Sequence, residues 1–211
     1  LTDRLFCYDG AMGFRYQLRV LGMDGRPSQD CAAVRQEPEG CLRIALADGV
    51  GGQAGGREAA QRAVDDWLDS NYDPAIQMAE TDSLLSRLPE AGLTTSIYLR
   101  LTAKELTGAS VGDSQVWFQE GHGRWRELTQ QQRLRPFLGS GEAIPIPFSL
   151  VPLRQGRLLI CSDELPERPT RACDPETPGA IDQLLLLPRM VLSKTYADDV
   201  SFVLVGWDSS R

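Results

Sequence analysis

Apolar and polar residues alternate from Gly13 to Met23, with Phe14, Tyr16, Leu18 and Val20 on one side. That two-residue period predicts a half-buried strand. After a turn at residues 24–28, Cys31–Val34 and Leu42–Asp48 read as two further strands, and a glycine-dense loop follows. The rhythm then changes. Over Gly56–Ser70, the residues Ala60, Ala63, Val64, Trp67 and Leu68 recur at helical spacing. A second helix is expected over Pro74–Leu88, opened by a first-turn proline and carrying Ile76, Ala79, Leu84, Leu85 and Leu88 on its apolar side. Strand patterns return at Thr94–Leu101, Glu105–Gly112, Ser114–Glu120, Arg124–Leu128, Phe148–Leu153 and Arg157–Asp163. Residues 129–147 are turn-rich and carry no strong period. A third helix is expected over Thr177–Leu192 and a last strand over Val200–Trp207. Runs of neighbouring strands with grouped helices predict an α+β chain with antiparallel sheets rather than alternating βαβ units. With no internal repeat or low-complexity linker, the 211 residues predict one domain, 1–211.

Composition narrows the partners. The formal net charge of -7 disfavours nucleic acid and anionic membranes, both of which call for a basic face. No run approaches 18 apolar residues, so neither a signal peptide nor a membrane span is expected. The five cysteines, Cys7, Cys31, Cys41, Cys161 and Cys173, are odd in number and form no CxxC. They read as reduced core thiols, which predicts a cytoplasmic location.

Aspartates recur at strand ends and turns: Asp30, Asp48, Asp113, Asp163 and the pair Asp198-Asp199. Each taken alone is an ordinary turn-capping residue. Taken together they admit a second reading. Three carboxylates converging within ~5 Å repel by about 3 kcal/mol per pair at an effective dielectric of 20. A cluster of that kind needs protons or cations, and an all-oxygen donor set favours Mg²⁺ or Mn²⁺ over zinc. The single histidine, His122, reads as a surface turn residue, and no GxSxG elbow occurs. Gly49-Val50-Gly51-Gly52-Gln53-Ala54 matches the loose dinucleotide pattern GxGxxA. Against that reading, Asp48 would face the pyrophosphate, and the helix leads into another helix rather than a parallel strand.

Taken in order, Ser28-Gln29-Asp30, Ala45 to Gly56, Thr94-Thr95, Ala109 to Trp117, Leu158 to Asp163 and Ala197 to Val205 span nearly the whole chain. In that order and spacing the sequence resembles the metal-dependent protein phosphatases, the PPM or type 2C serine/threonine family. The resemblance implies a four-layer αββα sandwich, two antiparallel sheets flanked by helices, with a two-metal site at one end. It implies that Asp48 bridges two Mn²⁺ or Mg²⁺ ions, Gly49 offers its carbonyl, and Asp163 and Asp198 complete the second ion's shell. Asp30 would orient water from just behind the ligands, Arg26 would grip phosphate, and Asp113 would hold a third, weaker metal. The implied substrate is a phosphorylated protein, and the implied opponent a bacterial Ser/Thr kinase.

Departures from the family pattern bear on activity. Arg26 lies one residue closer to Asp30 than usual, and Gln29 stands where animal members have glutamate. Val50 replaces a proposed general-acid histidine of the animal enzymes, Glu164 a glycine, and Asp199 the customary asparagine. The region 129–157 is short, implying a reduced flap. Glu164 and that flap motivate an alternative: a weak or inactive phosphatase-fold regulatory module.

Overall fold

The computed structural model describes residues 14–22, 26–37, 40–51, 55–121, 123–132, 134–162 and 199–207. The strands are β1 (Phe14–Leu21), β2 (Cys31–Gln36), β3 (Leu42–Ala47), β4 (Ser96–Leu101), β5 (Leu106–Val111), β6 (Gln115–Glu120), β7 (Trp125–Glu127), β8 (Ile146–Leu150), β9 (Gly156–Cys161) and β10 (Val200–Trp207). Between β3 and β4 lie the helices α1 (Gly56–Asp69) and α2 (Pro74–Leu85). The described strands form two antiparallel sheets of five, ordered β1-β10-β9-β6-β7 and β2-β3-β4-β5-β8. The α+β class and its antiparallel sheets are as expected. Among the described residues no strand pair is parallel, so they build no dinucleotide-binding sheet.

Alternation along the strands explains the layers. Leu42, Ile44 and Leu46 of β3 and Ile97, Leu99 and Leu101 of β4 face Leu158 and Ile160 of β9 and Val203 and Val205 of β10. Those apolar faces close on each other as a sandwich core. The intervening residues Ala45, Ala47, Tyr98, Ala109 and Val111 face outward beneath Ala59, Ala60, Ala63, Val64 and Trp67 of α1 and Met78 and Leu85 of α2. Small alanines on both surfaces let α1 lie close to the sheet. Tyr98 stacks on Trp67 with ring centroids 5.3 Å apart, and its hydroxyl donates to the Ala63 carbonyl at 2.8 Å. A third buried group, Trp117, Trp125, Leu159, Cys161 and Phe202, lies on the opposite face of the other sheet. The helix expected over 177–192 lies outside the described residues, so they show three of the four layers. Among the described residues no helix is long and apolar enough to cross a membrane.

Two expectations for α2 are corrected. The helix ends at Leu85 rather than Leu88, because Leu88 precedes Pro89 and that position disfavours helical backbone. Its buried side is Pro74, Met78, Thr81, Asp82 and Leu85, whereas Ile76 is 55% exposed. Two polar residues occupy the stripe that apolar spacing alone assigns elsewhere. The start follows a familiar pattern, with Asp73 accepting from the Ala75 amide at 2.9 Å and Pro74 in the first turn. At the end of α1, arginines serve as caps. Arg35 donates to Leu68 O at 2.7 Å, and Arg43 donates to the carbonyls of Trp67 and Ser70.

Candidate metal centre

Strand register, not sequence proximity, brings the acidic motifs together. Cys31 of β2 pairs with Ala47 of β3, so one further step sets Asp30 opposite Asp48. Ser96 of β4 pairs with Val111 of β5, and the next step sets Thr95 beside Gly112 and the Asp113 turn. Gln115 of β6 and Phe202 of β10 both pair with Cys161 of β9, so Ser114, Ser162 and Ser201 reach the same end. Asp30, Asp48, Gly49 and Asp113 therefore share one end of the sandwich. Asp30 is buried, while Asp48 and Asp113 are half-buried.

The main chain at Asp48 is braced from several sides. Its carbonyl accepts from the Thr95 amide and from Thr94 Oγ1, each at 2.8 Å, and its own amide donates to Thr95 Oγ1 at 3.3 Å. Thr95 Oγ1 lies 2.7 Å from Ser114 Oγ, so hydroxyls connect the Asp48 strand end to the Asp113 turn. Gly112 turns there with φ +97, and a Cβ on it would sit 2.7 Å from Thr95 Cβ. Glycine is likewise imposed at position 49. A Cβ there would meet Gly56 O at 2.5 Å and Gln29 O at 2.9 Å. The glycine-dense sequence is therefore a close approach of three backbones: the loop, the start of α1 and the segment before Asp30.

Two site expectations lie outside the described residues, those for Asp163 and Asp198, as do His122 and Glu164. Among the described residues, no three His, Cys, Asp or Glu side chains converge into a ready ligand set. Arg26 is exposed, on the β1–β2 connection at the same end. Gly22 sits hard against its carbonyl, where a Cβ would come within 1.8 Å. Arg57 and Asp82, which the sequence did not single out, join Asp199 in holding segments around this end. Arg57, at the start of α1, donates to Ser28 O at 3.3 Å. Asp199 accepts from the Gln29 amide at 2.5 Å, a bond that the oxygen of an asparagine also makes. Asp82 accepts from the amides of Gly139, Gly141 and Ala143. An aspartate among Met78, Thr81 and Leu85 at helical spacing was the available signal for the last, since a polar group in a core stripe needs partners.

The donor chemistry present suits a hard divalent cation: carboxylates at Asp30, Asp48 and Asp113, with the Gly49 carbonyl in the same loop. The Cys31 and Cys41 thiols suit nucleophilic catalysis poorly. Burial, reinforced by the Asp65 charge, pushes the Cys31 thiol up to about 11, and burial also raises Cys41. A thiol titrating near 11 is about 0.1% thiolate at pH 8. Cys31 is accordingly expected to alkylate at least tenfold more slowly than a free peptide thiol at pH 8, read by mass spectrometry of iodoacetamide-treated protein. A rate equal to the peptide's would contradict this protonation state.

No family model matches this chain, and no curated protein matches it in sequence. Its fold is nevertheless similar to solved structures over nearly its full length. RsbX in complex with magnesium superposes with a TM-score of 0.80 at 13% identity, covering 97% of this chain and 100% of that one. The serine/threonine phosphatase Stp1 from Staphylococcus aureus gives 0.74 at 16%, covering 99% and 100%. The catalytic domain of the serine threonine protein phosphatase PstP, in complex with two manganese ions, gives 0.73 at 19%, covering 94% and 100%. The chain thus shares its fold with these three structures. At these identities the likeness is one of fold.

Proposed function

We propose that this chain is a metal-dependent protein phosphatase, one catalytic domain with a reduced flap over 129–157, acting on phosphoserine or phosphothreonine. The observation that carries the reading is the register that sets Asp30 opposite Asp48 beside a braced glycine loop. Asp48, the Gly49 carbonyl, Asp163 and Asp198 would hold two Mn²⁺ or Mg²⁺ ions, with Asp113 available to a third. Bound there, the cations would supply Lewis acidity toward phosphoryl oxygens and make an attacking water more acidic.

The chain's own residues do the remainder. Asp30, buried at the rim, is an acceptor that orients water toward phosphorus. Arg26 offers two guanidinium donors to phosphate oxygens, and Arg57 stands at the same end as a second cation. Val50 has no proton to give, so the leaving alkoxide takes its proton from solvent. Burial holds the Cys31 and Cys41 thiols protonated, so neither is suited to forming a phosphoenzyme. The proposed setting is the cytosol, opposite a bacterial Ser/Thr kinase.

The direct test is release of phosphate from a phosphothreonine peptide by the purified chain with 1–2 mM Mn²⁺, expected to vanish with excess chelator. Turnover that survives chelation would refute the metal mechanism. A folded sample that neither binds Mn²⁺ nor hydrolyses the peptide would instead identify a regulatory module built on the same fold.

A further inference from the structure

Asp82 is 4% exposed and lies in the last turn of α2, where the carbonyl end of the helix disfavours a negative charge. Burial disfavours it again. A methionine or leucine would fill the stripe at less cost, so the carboxylate must serve something besides the core. Its oxygens accept from Gly139 N at 2.7 Å, Gly141 N at 3.1 Å and Ala143 N at 3.0 Å. Gly139 and Gly141 have φ +97 and +77, a backbone that aims alternate amides at one anion. A Cβ on Gly139 would also sit 2.7 Å from Gly92 O. The segment 137–143 is thus shaped around the Asp82 side chain.

That segment leads back to the site. Leu138, fully buried, exchanges two backbone bonds with Thr94, at 2.9 and 3.0 Å. Thr94 in turn bridges to Gly49 and donates Oγ1 to the Asp48 carbonyl at 2.8 Å. Asp82, the 137–143 loop, Thr94 and the Asp48-Gly49 main chain form one continuous hydrogen-bonded path.

We propose that Asp82 is a positioning residue for the metal centre: by gripping the 137–143 loop it fixes Thr94, and through Thr94 the carboxylate and carbonyl of Asp48 and Gly49. The inference rests on the metal-dependent reading above, and it predicts a change in metal affinity rather than stability alone. Groups that orient metal ligands from behind typically change affinity by about 10–100-fold when removed.

The test is Mn²⁺ calorimetry on the full chain, comparing wild type with Asp82→Asn, Thr94→Val, their double variant and Tyr98→Phe. Asp82→Asn keeps the side-chain size but turns an N–H₂ toward amide donors, and Thr94→Val removes the hydroxyl bonded to Asp48. Each is expected to weaken Mn²⁺ binding about tenfold. The double variant should be scarcely weaker than either, because both cut the same path. Tyr98→Phe loosens α1 from the sheet by one hydrogen bond, lies off the path, and is expected to leave affinity unchanged. Amide hydrogen exchange at Gly139, Gly141 and Ala143 should quicken at least about tenfold in Asp82→Asn. If Asp82→Asn does not fold, Asp82→Glu keeps the charge while displacing the acceptors, and the same weakening is expected of it. Unchanged affinity in the Asp82 variants, additive losses in the double variant, or an equal loss in Tyr98→Phe would each overturn the inference. A wild-type chain that binds no Mn²⁺ would overturn the phosphatase reading itself, and that result is distinct from the others.

Discussion

Asp48→Asn is expected to abolish phosphate release while raising the melting temperature of the metal-free protein. The first effect follows if Asp48 bridges both cations: an amide cannot carry the charge that holds them, and kcat/KM should fall by at least about 10³-fold, or ~4 kcal/mol. The second follows from the register. Side chains opposite each other on adjacent antiparallel strands lie about 5 Å apart, and two carboxylates there repel by about 3 kcal/mol at an effective dielectric of 20. Asp48 is half-buried, so solvent screening leaves roughly 1 kcal/mol, worth about 2–4 °C in a chain of this size. Asparagine keeps the backbone bonds to Thr94 and Thr95, so the brace survives the change. With Mn²⁺ at about a hundred times its dissociation constant, wild type gains roughly 2.7 kcal/mol that the variant does not, and the order of stabilities reverses. Differential scanning fluorimetry with and without Mn²⁺ measures both arms. A variant that melts below wild type in chelator would show that Asp48 is a structural capping residue. Retained turnover would remove it from the chemistry.

Why the sequence disclosed some of this and not the rest is a matter of which interactions are local. Alternation at Leu42, Ile44 and Leu46 and at Leu158 and Ile160 reports a face buried against another sheet, so the strands and their antiparallel class were legible. The helical stripe of α1 was legible for the same reason. In α2 the stripe is shared by Thr81, which donates to Asp66 of α1, and Asp82, which accepts from the distant Ala143 amide, and periodicity placed Ile76 on the wrong side. Asp30, Asp48, Gly49 and Asp113 were legible because turns and strand ends punctuate a sequence visibly, and the structure gathers those four at one end. Their bracing by Thr94, Thr95 and Ser114 depends on which strands are neighbours, and hydroxyl residues leave no periodic trace. Asp199 shows the same limit, since its bond to the Gln29 amide spans 170 positions.

Arg43→Met should destabilise the chain by about 3–4 kcal/mol and leave the metal site alone. Arg43 is the second residue of β3, so nearly the whole strand separates it from Asp48. It is 5% exposed, pairs through Nε with Glu37, caps the Trp67 and Ser70 carbonyls at the end of α1, and lies 5.2 Å over the Trp67 ring. Methionine keeps the aliphatic stem on Trp67 but strands a partly buried Glu37 and two terminal carbonyls. Breaking a buried pair from one side typically costs 3–5 kcal/mol, most of it from the partner left without compensation. That origin gives the prediction its sharper form. The double variant Arg43→Met, Glu37→Leu should recover part of the loss, because removing both charges also removes the desolvation that the pair offsets. The Arg35–Asp69 ion pair on the same helix end is 47% and 74% exposed, and Arg35→Met should cost under about 1 kcal/mol. Urea unfolding followed by tryptophan fluorescence ranks the three, since Trp67 reports directly on α1. Equal losses for Arg43→Met and Arg35→Met would mean that burial adds nothing to this cap, and a double variant weaker than Arg43→Met alone would mean that Glu37 stabilises the fold without its arginine.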